Sequence, residues 1–163
     1  WPNAMALLEE MRGRVEVDRI VLNASMTACQ KASAWEKAVE LFAVGDGLVD
    51  VVGFNAAMSA WAQGGHWQQV LHLLRSLRCS QQRPSSVTFN SCISAGEKAS
   101  QWQMSLEILQ EACKEGHASS VSFNATFTAL ERGSRWTLAL QLLKEMPWRK
   151  IVPDMGSYGA LLT

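Results

Sequence analysis

Apolar residues recur along this chain at spacings of three and four. Val87, Phe89, Ile93 and Ala95 begin one such pattern, and Trp102, Leu106, Ile108 and Leu109 resume it after a break at Ala99–Ser100. That period places side chains on one face of a helix. Gly64–Gly65 and Gly133–Ser134 make equivalent breaks, where a helix must end and the chain reverse. Leu22, Phe54, Phe89, Phe123 and Tyr158 share one position of the pattern, and Met26, Met58, Ile93, Phe127 and Leu162 lie four residues on. Ala28, Ala60, Ala95 and Ala129 occupy another position, where a small side chain lets a paired helix come close. Leu41, Leu73, Ile108 and Leu142 mark the second helix of each pair, beside Phe42, Leu74, Leu109 and Leu143. Pro84 and Pro153 fall at unit ends, and Pro147 predicts a helix ending at Met146. No stretch alternates apolar and polar residues as a half-buried strand would. The pattern predicts an all-α chain.

The same pattern is a repeat. RIVLNASMTACQKASAW, VVGFNAAMSAWAQGGHW, SVTFNSCISAGEKASQW and SVSFNATFTALERGSRW align without gaps, starting at Arg19, Val51, Ser86 and Ser120. Asn23, Asn55, Asn90 and Asn124 are 32, 35 and 34 residues apart, and Trp35, Trp67, Trp102 and Trp136 keep those intervals. The expected units are 19–50, 51–85, 86–119 and 120–154. Residues 1–18 are the second helix of a truncated unit, and 155–163 the start of a fifth. No single helical pair can bury these faces, so neighbouring pairs must stack into a solenoid with a concave side. The repeated Trp is expected to wedge between the two helices of its own unit as a core residue. The chain is expected to be an excerpt of a longer protein.

Composition then narrows the function. The 163 residues carry 15 Lys+Arg against 15 Asp+Glu, so attraction of nucleic acid by bulk charge is not expected. There is no apolar run of membrane-spanning length. Cys29, Cys79, Cys92 and Cys113 show no metal-ligand spacing with His66, His72 or His117 and are expected to be packed thiols. Seven Trp stand beside one Tyr, and repetition of one position accounts for five of them, Trp1 included. Glu9–Glu10, Glu107, Glu111 and Glu115 are expected on solvated outer faces. The sequons at Asn23 and Asn124 fall at helix starts and are discounted as glycosylation sites. No nucleophile motif or Gly-rich phosphate loop is present, so no cofactor, metal or small-molecule substrate is expected, and the chain is not expected to be an enzyme.

From the second unit on, each unit begins V-[TSG]-F-N, with Lys, Arg or Gln eight residues after the Asn. The tetratricopeptide signature W-x2-L-G-x2-Y is missing. These strings, with IVPD closing the fourth unit, resemble pentatricopeptide repeats of the algal and protist kind along the whole chain. The resemblance implies a right-handed α-α superhelical solenoid of helix-turn-helix repeats that reads single-stranded RNA one base per repeat. It implies base selection by the fifth residue of each repeat with the last: Asn23 with Asp50, Asn55 with Ser85, Asn90 with Ser119, and Asn124 with Asp154. Asn with Asp implies uridine, and Asn with Ser implies cytidine with uridine tolerated. The implied target is 5′-U-(C/U)-(C/U)-U-3′.

The resemblance further implies that Ile20, Val52, Val87 and Val121 flank the bases and that Lys31, Lys98 and Arg132 meet phosphates. Gln63 departs from the phosphate pattern, and Gly159 has no side chain to read a base. A mitochondrial or plastid setting, in RNA processing, stabilisation or translation, is implied as well. An Asn that opens a helix can equally be its N-terminal cap. The competing function is a tetratricopeptide-like scaffold that binds a protein or peptide.

Overall fold

A computed structural model of the chain describes residues 19–31, 35–44 and 51–162. Among the described residues every regular element is a helix. In chain order these are α1 (Arg19–Lys31), α2 (Trp35–Val44), α3 (Val51–Gln63), α4 (Trp67–Cys79), α5 (Ser86–Lys98), α6 (Trp102–Lys114), α7 (Ser120–Arg132), α8 (Trp136–Trp148) and α9 (Met155–Leu162). The odd-numbered helices are the first helices of their units and the even-numbered ones the second. Each first helix packs on its own second helix and on the first helix of the next unit, and each second helix leans on the first helix that follows. The architecture is an all-α solenoid of helix-turn-helix repeats.

The turns show how the chain reverses so sharply. Gly65, Ser100 and Ser134 take the left-handed conformation, with φ of 73°, 55° and 54°. The next amide of each closes back onto its helix: His66 to the Trp61 carbonyl at 3.1 Å, Gln101 to Gly96 at 2.8 Å and Arg135 to Leu130 at 2.9 Å. This pattern satisfies carbonyls that a helix end would otherwise leave open. The second helices end likewise at Gln81, Gly116 and Lys150.

The core follows the apolar faces read from the sequence. Met26, Met58, Phe89, Ile93, Phe123 and Phe127 are fully or almost fully buried, as are Ala60, Ala95 and Ala129 at the close-approach position. Leu41, Leu73, Ile108 and Leu142 seal the core from the second helices. Tyr158 departs from its column and is 51% exposed.

Several expectations need correction. Trp102 packs against the core but also reaches beyond its own unit. Its ring lies so close to Gly133 of the next unit that a Cβ there would meet Trp102 Cδ1 at 2.5 Å, and Arg135 stacks over it at 4.9 Å. Trp102 therefore interlocks its unit with the next. Trp67 and Trp102 are half-buried and Trp136 is 68% exposed. Helix α8 does not stop at Met146 but runs through Pro147 to Trp148. Proline there removes one donor in the last turn, and the amides of Arg149, Lys150 and Ile151 still close onto Glu145, Met146 and Pro147 carbonyls. Cys29 and Cys92 are packed thiols, the latter pushed up to about 12 chiefly by burial, whereas Cys79 is exposed. Glu111 and Glu115 are not simply solvated: both take Arg78 of the preceding unit, at 2.7 and 3.0 Å.

Candidate functional site

The first helices present the residues that the repeat pattern singled out. Asn55, Asn90 and Asn124 sit five residues into α3, α5 and α7, so they do not cap those helices. The caps are the terminal residues of the preceding units. Ser85 accepts the Thr88 amide at 3.4 Å while its own amide donates to Thr88 Oγ1 at 3.0 Å. Ser119 and Ser122 form the same reciprocal box at the start of α7. Asp154 Oδ1 accepts the Ser157 amide at 2.9 Å at the start of α9. Such boxes satisfy the open amides of a helix start.

These caps reach the Asn of the unit before them. Asn55 Nδ2 donates to Ser85 Oγ at 3.4 Å, and Asn124 Nδ2 donates to both carboxylate oxygens of Asp154, at 2.9 and 3.1 Å. Asn90 and Ser119 are linked through Ser122, whose hydroxyl donates to Asn90 Oδ1 at 2.6 Å and lies 3.3 Å from Ser119 Oγ. The structure thus brings together three of the four expected pairs. Asn23 lies in α1, while Asp50 and the Ile20 side chain fall outside the described residues.

Val52, Val87 and Val121 project from the same surface and are 58%, 53% and 60% exposed, although the core is well filled. A groove of about 470 Å³ lies between α3, α5 and α7, lined by Val87, Val121 and Asn90. Ser59, Ser91, Ser94, Gln63 and Glu97 add polar lining. Stiff β-branched walls around a hydrogen-bonding amide suit a flat, polar-edged ligand. At the last described unit Gly156 replaces the valine, and it lies so close that a Cβ would meet Asn124 Nδ2 at 2.9 Å. Gly159 has open space around it.

The basic column is exposed but engaged. Lys98 Nζ donates to the Gln63 carbonyl at 3.4 Å, and Arg132 Nη1 donates to the Glu97 carbonyl at 3.2 Å. Each cation thereby sits at the negative end of the first helix before it. Arg132 also lies 3.7 Å from the Glu97 carboxylate. Lys31 is exposed at the end of α1.

Sequence reasoning missed the hydroxyls of Thr88, Ser122 and Ser157. Thr88 and Ser122 are visible only as the second residue of V-[TSG]-F-N, Ser157 stands in the divergent Gly156-Ser157-Tyr158-Gly159, and their partners lie a whole unit away.

Hydrogen bonds from Asn124 and then from the Ser157 amide hold the exposed Asp154 carboxyl below its ordinary value of 3.8. A depressed carboxyl contributes stability above the unfolded value and loses it as pH falls through the folded one. Melting curves of wild type and Asp154→Asn are therefore expected to differ near neutrality and converge below pH 3.8. A constant offset down to the lowest pH would show that the carboxylate contributes nothing.

A stack of helical pairs of this kind defines an α-solenoid repeat protein. Residues 121–151 match the family model of the PPR repeat. The crystal structure of the maize pentatricopeptide repeat protein PPR10 in complex with an 18-nt psaJ RNA element is similar over 97% of this chain, with a TM-score of 0.83 and 25% identity. A second crystal structure of PPR10 from maize matches 99% of the chain, with a TM-score of 0.72 and 24% identity. In both comparisons the chain spans 24% of the maize protein's length. The PPR domain of Arabidopsis thaliana protein-only RNase P 1, in complex with tRNA, shares the fold with a TM-score of 0.77 over 88% of this chain and 78% of its own, at 14% identity. No curated protein sequence matches the chain. Residues 121–151 thus match a PPR repeat, and the chain shares its fold with pentatricopeptide repeat proteins.

Proposed function

We propose that these repeats bind single-stranded RNA and select one base per unit. The observation that carries this reading is the groove itself: exposed Val87 and Val121 line it together with Asn90, whose carbonyl accepts the Ser122 hydroxyl of the next unit's capping box. Each base would lie between two valines with its hydrogen-bonding edge toward the Asn. An amide offers both a donor and an acceptor, while a carboxylate accepts only, which suits the imino N–H of uridine beside Asp50 or Asp154. The units 19–50, 51–85, 86–119 and 120–154 would then read 5′-U-(C/U)-(C/U)-U-3′. Lys31, Lys98 and Arg132 would hold the phosphates. In a chain of zero net charge these few cations carry the electrostatic attraction, and Glu97 moderates it at Arg132. The family resemblance supports an organellar role in RNA processing, stabilisation or translation.

Fluorescence-anisotropy titration tests the reading. RNA containing 5′-UCCU is expected to bind more tightly than the same strand with purines there. Affinity should fall as salt rises, by a power near the number of phosphates held, with a slope of about −0.7 per contact. Equal binding to every sequence would contradict base selection. No binding to any would favour a scaffold for a protein or peptide.

A further inference from the structure

The base-facing Asn of one unit is held by a hydroxyl of the next. Thr88, Ser122 and Ser157 are each fully buried. Their hydroxyls donate to Asn55, Asn90 and Asn124 Oδ1 at 2.6, 2.6 and 2.7 Å. Each hydroxyl oxygen also accepts the backbone amide of the capping residue, at 3.0, 3.2 and 3.2 Å. With the oxygen committed to that amide, its single proton is available to the Asn carbonyl.

We infer that these hydroxyls are positioning residues that fix the orientation of the reading amide. Oδ1 is turned inward to the hydroxyl, so Nδ2 and its two protons are turned toward the capping partner and the groove. At Asn124 both sides demand this orientation, because the Asp154 carboxylate can accept but not donate. The selecting edge is thus an N–H donor, complementary to a carbonyl on the base. Without the hydroxyl the amide can rotate and present its carbonyl instead, and selection relaxes. Selection at Asn55, Asn90 and Asn124 therefore depends on a residue in the following unit, whereas the equivalent position after Asn23 is Gly53, which has no hydroxyl. This inference rests on the RNA reading above and adds residues that no pair of selecting positions contains.

The test uses Thr88→Val, which keeps shape and removes the hydroxyl, with Thr88→Ser as the conservative rescue. RNAs differing only at the second nucleotide, the one assigned to Asn55, are titrated by anisotropy. Thr88→Val is expected to lose about five- to tenfold of the pyrimidine-over-purine preference there, about the worth of one hydrogen bond. Preference at the third nucleotide should be unchanged, and Thr88→Ser should restore the second. Ser122→Ala, rescued by Ser122→Thr, should shift the same effect to the third nucleotide. If wild type shows no preference at either nucleotide, the RNA reading itself fails. If wild type discriminates and Thr88→Val discriminates equally, or weakens binding to all sequences alike, the positioning role is overturned. Loss of the helical circular-dichroism signal in both hydroxyl-deleted variants would also overturn it, by making the hydroxyls elements of the fold alone.

Discussion

Replacing Gly96 with alanine is expected to destabilise the chain by about 1–3 kcal/mol, the usual cost of overpacking a filled core. Helix propensity alone predicts the opposite, since Ala is favoured over Gly inside a helix by about 1 kcal/mol. Packing decides the sign. Gly96 faces α6, and a Cβ there would meet Ser105 Oγ at 2.4 Å and the Gln101 carbonyl at 3.3 Å. The serine cannot readily turn away. It is fully buried, and its hydroxyl reaches the Ile93 carbonyl at 3.3 Å and the Gln101 carbonyl at 3.4 Å. Removing that oxygen should relieve the clash, so Gly96→Ala/Ser105→Ala should cost less than the two single changes added together. Urea denaturation followed by circular dichroism measures all three. A Gly96→Ala variant as stable as wild type would show that the two helices separate without penalty.

Gly96 also illustrates what could be read from the sequence. The Ala column at 28, 60, 95 and 129 was visible because all its members are small. The position of Gly96 holds Cys29, Trp61 and Leu130 in the other units, so no pattern marks it. The all-helical solenoid was legible because each unit repeats the same apolar faces, and four noisy copies reinforce one another. Contacts between units were not legible. The sequence placed the Trp column in the core of its own unit, yet Trp102 packs on Gly133 of the next. It left Asn as a capping candidate, whereas Ser85, Ser119 and Asp154 cap the first helices and Asn lies deeper in each. It showed Arg132 as a cation but not the Glu97 beside it. Each of these contacts joins residues that lie far apart in sequence, where periodicity names positions without saying which positions meet.

The second large effect concerns base choice. Asn90 differs from Asn124 in its neighbour: a serine hydroxyl stands at 119 where a carboxylate stands at 154. A hydroxyl can donate or accept, so it tolerates both the ring nitrogen of cytidine and the imino N–H of uridine. A carboxylate only accepts. It pairs with the imino N–H and faces the cytidine ring nitrogen lone pair with a lone pair of its own. The Asn124–Asp154 bonds of 2.9 and 3.1 Å give the geometry that an aspartate at 119 should adopt beside Asn90. Capping of α7 should survive, because Asp caps as well as Ser. Ser119→Asp is therefore expected to convert a tolerant pyrimidine reader into one that prefers uridine by about tenfold at a single nucleotide. That ratio corresponds to about 1.4 kcal/mol.

The claim that each unit reads one base through its Asn and the following cap is tested most directly by this substitution. Wild type and Ser119→Asp are titrated by anisotropy against RNAs identical except for cytidine or uridine at the third nucleotide. The account predicts that wild type accepts both, that the variant binds the uridine strand about tenfold more tightly than the cytidine strand, and that neither changes its preference at the second or fourth nucleotide. An unchanged ranking of the two strands by the variant, or an equal loss of affinity for both, would contradict it.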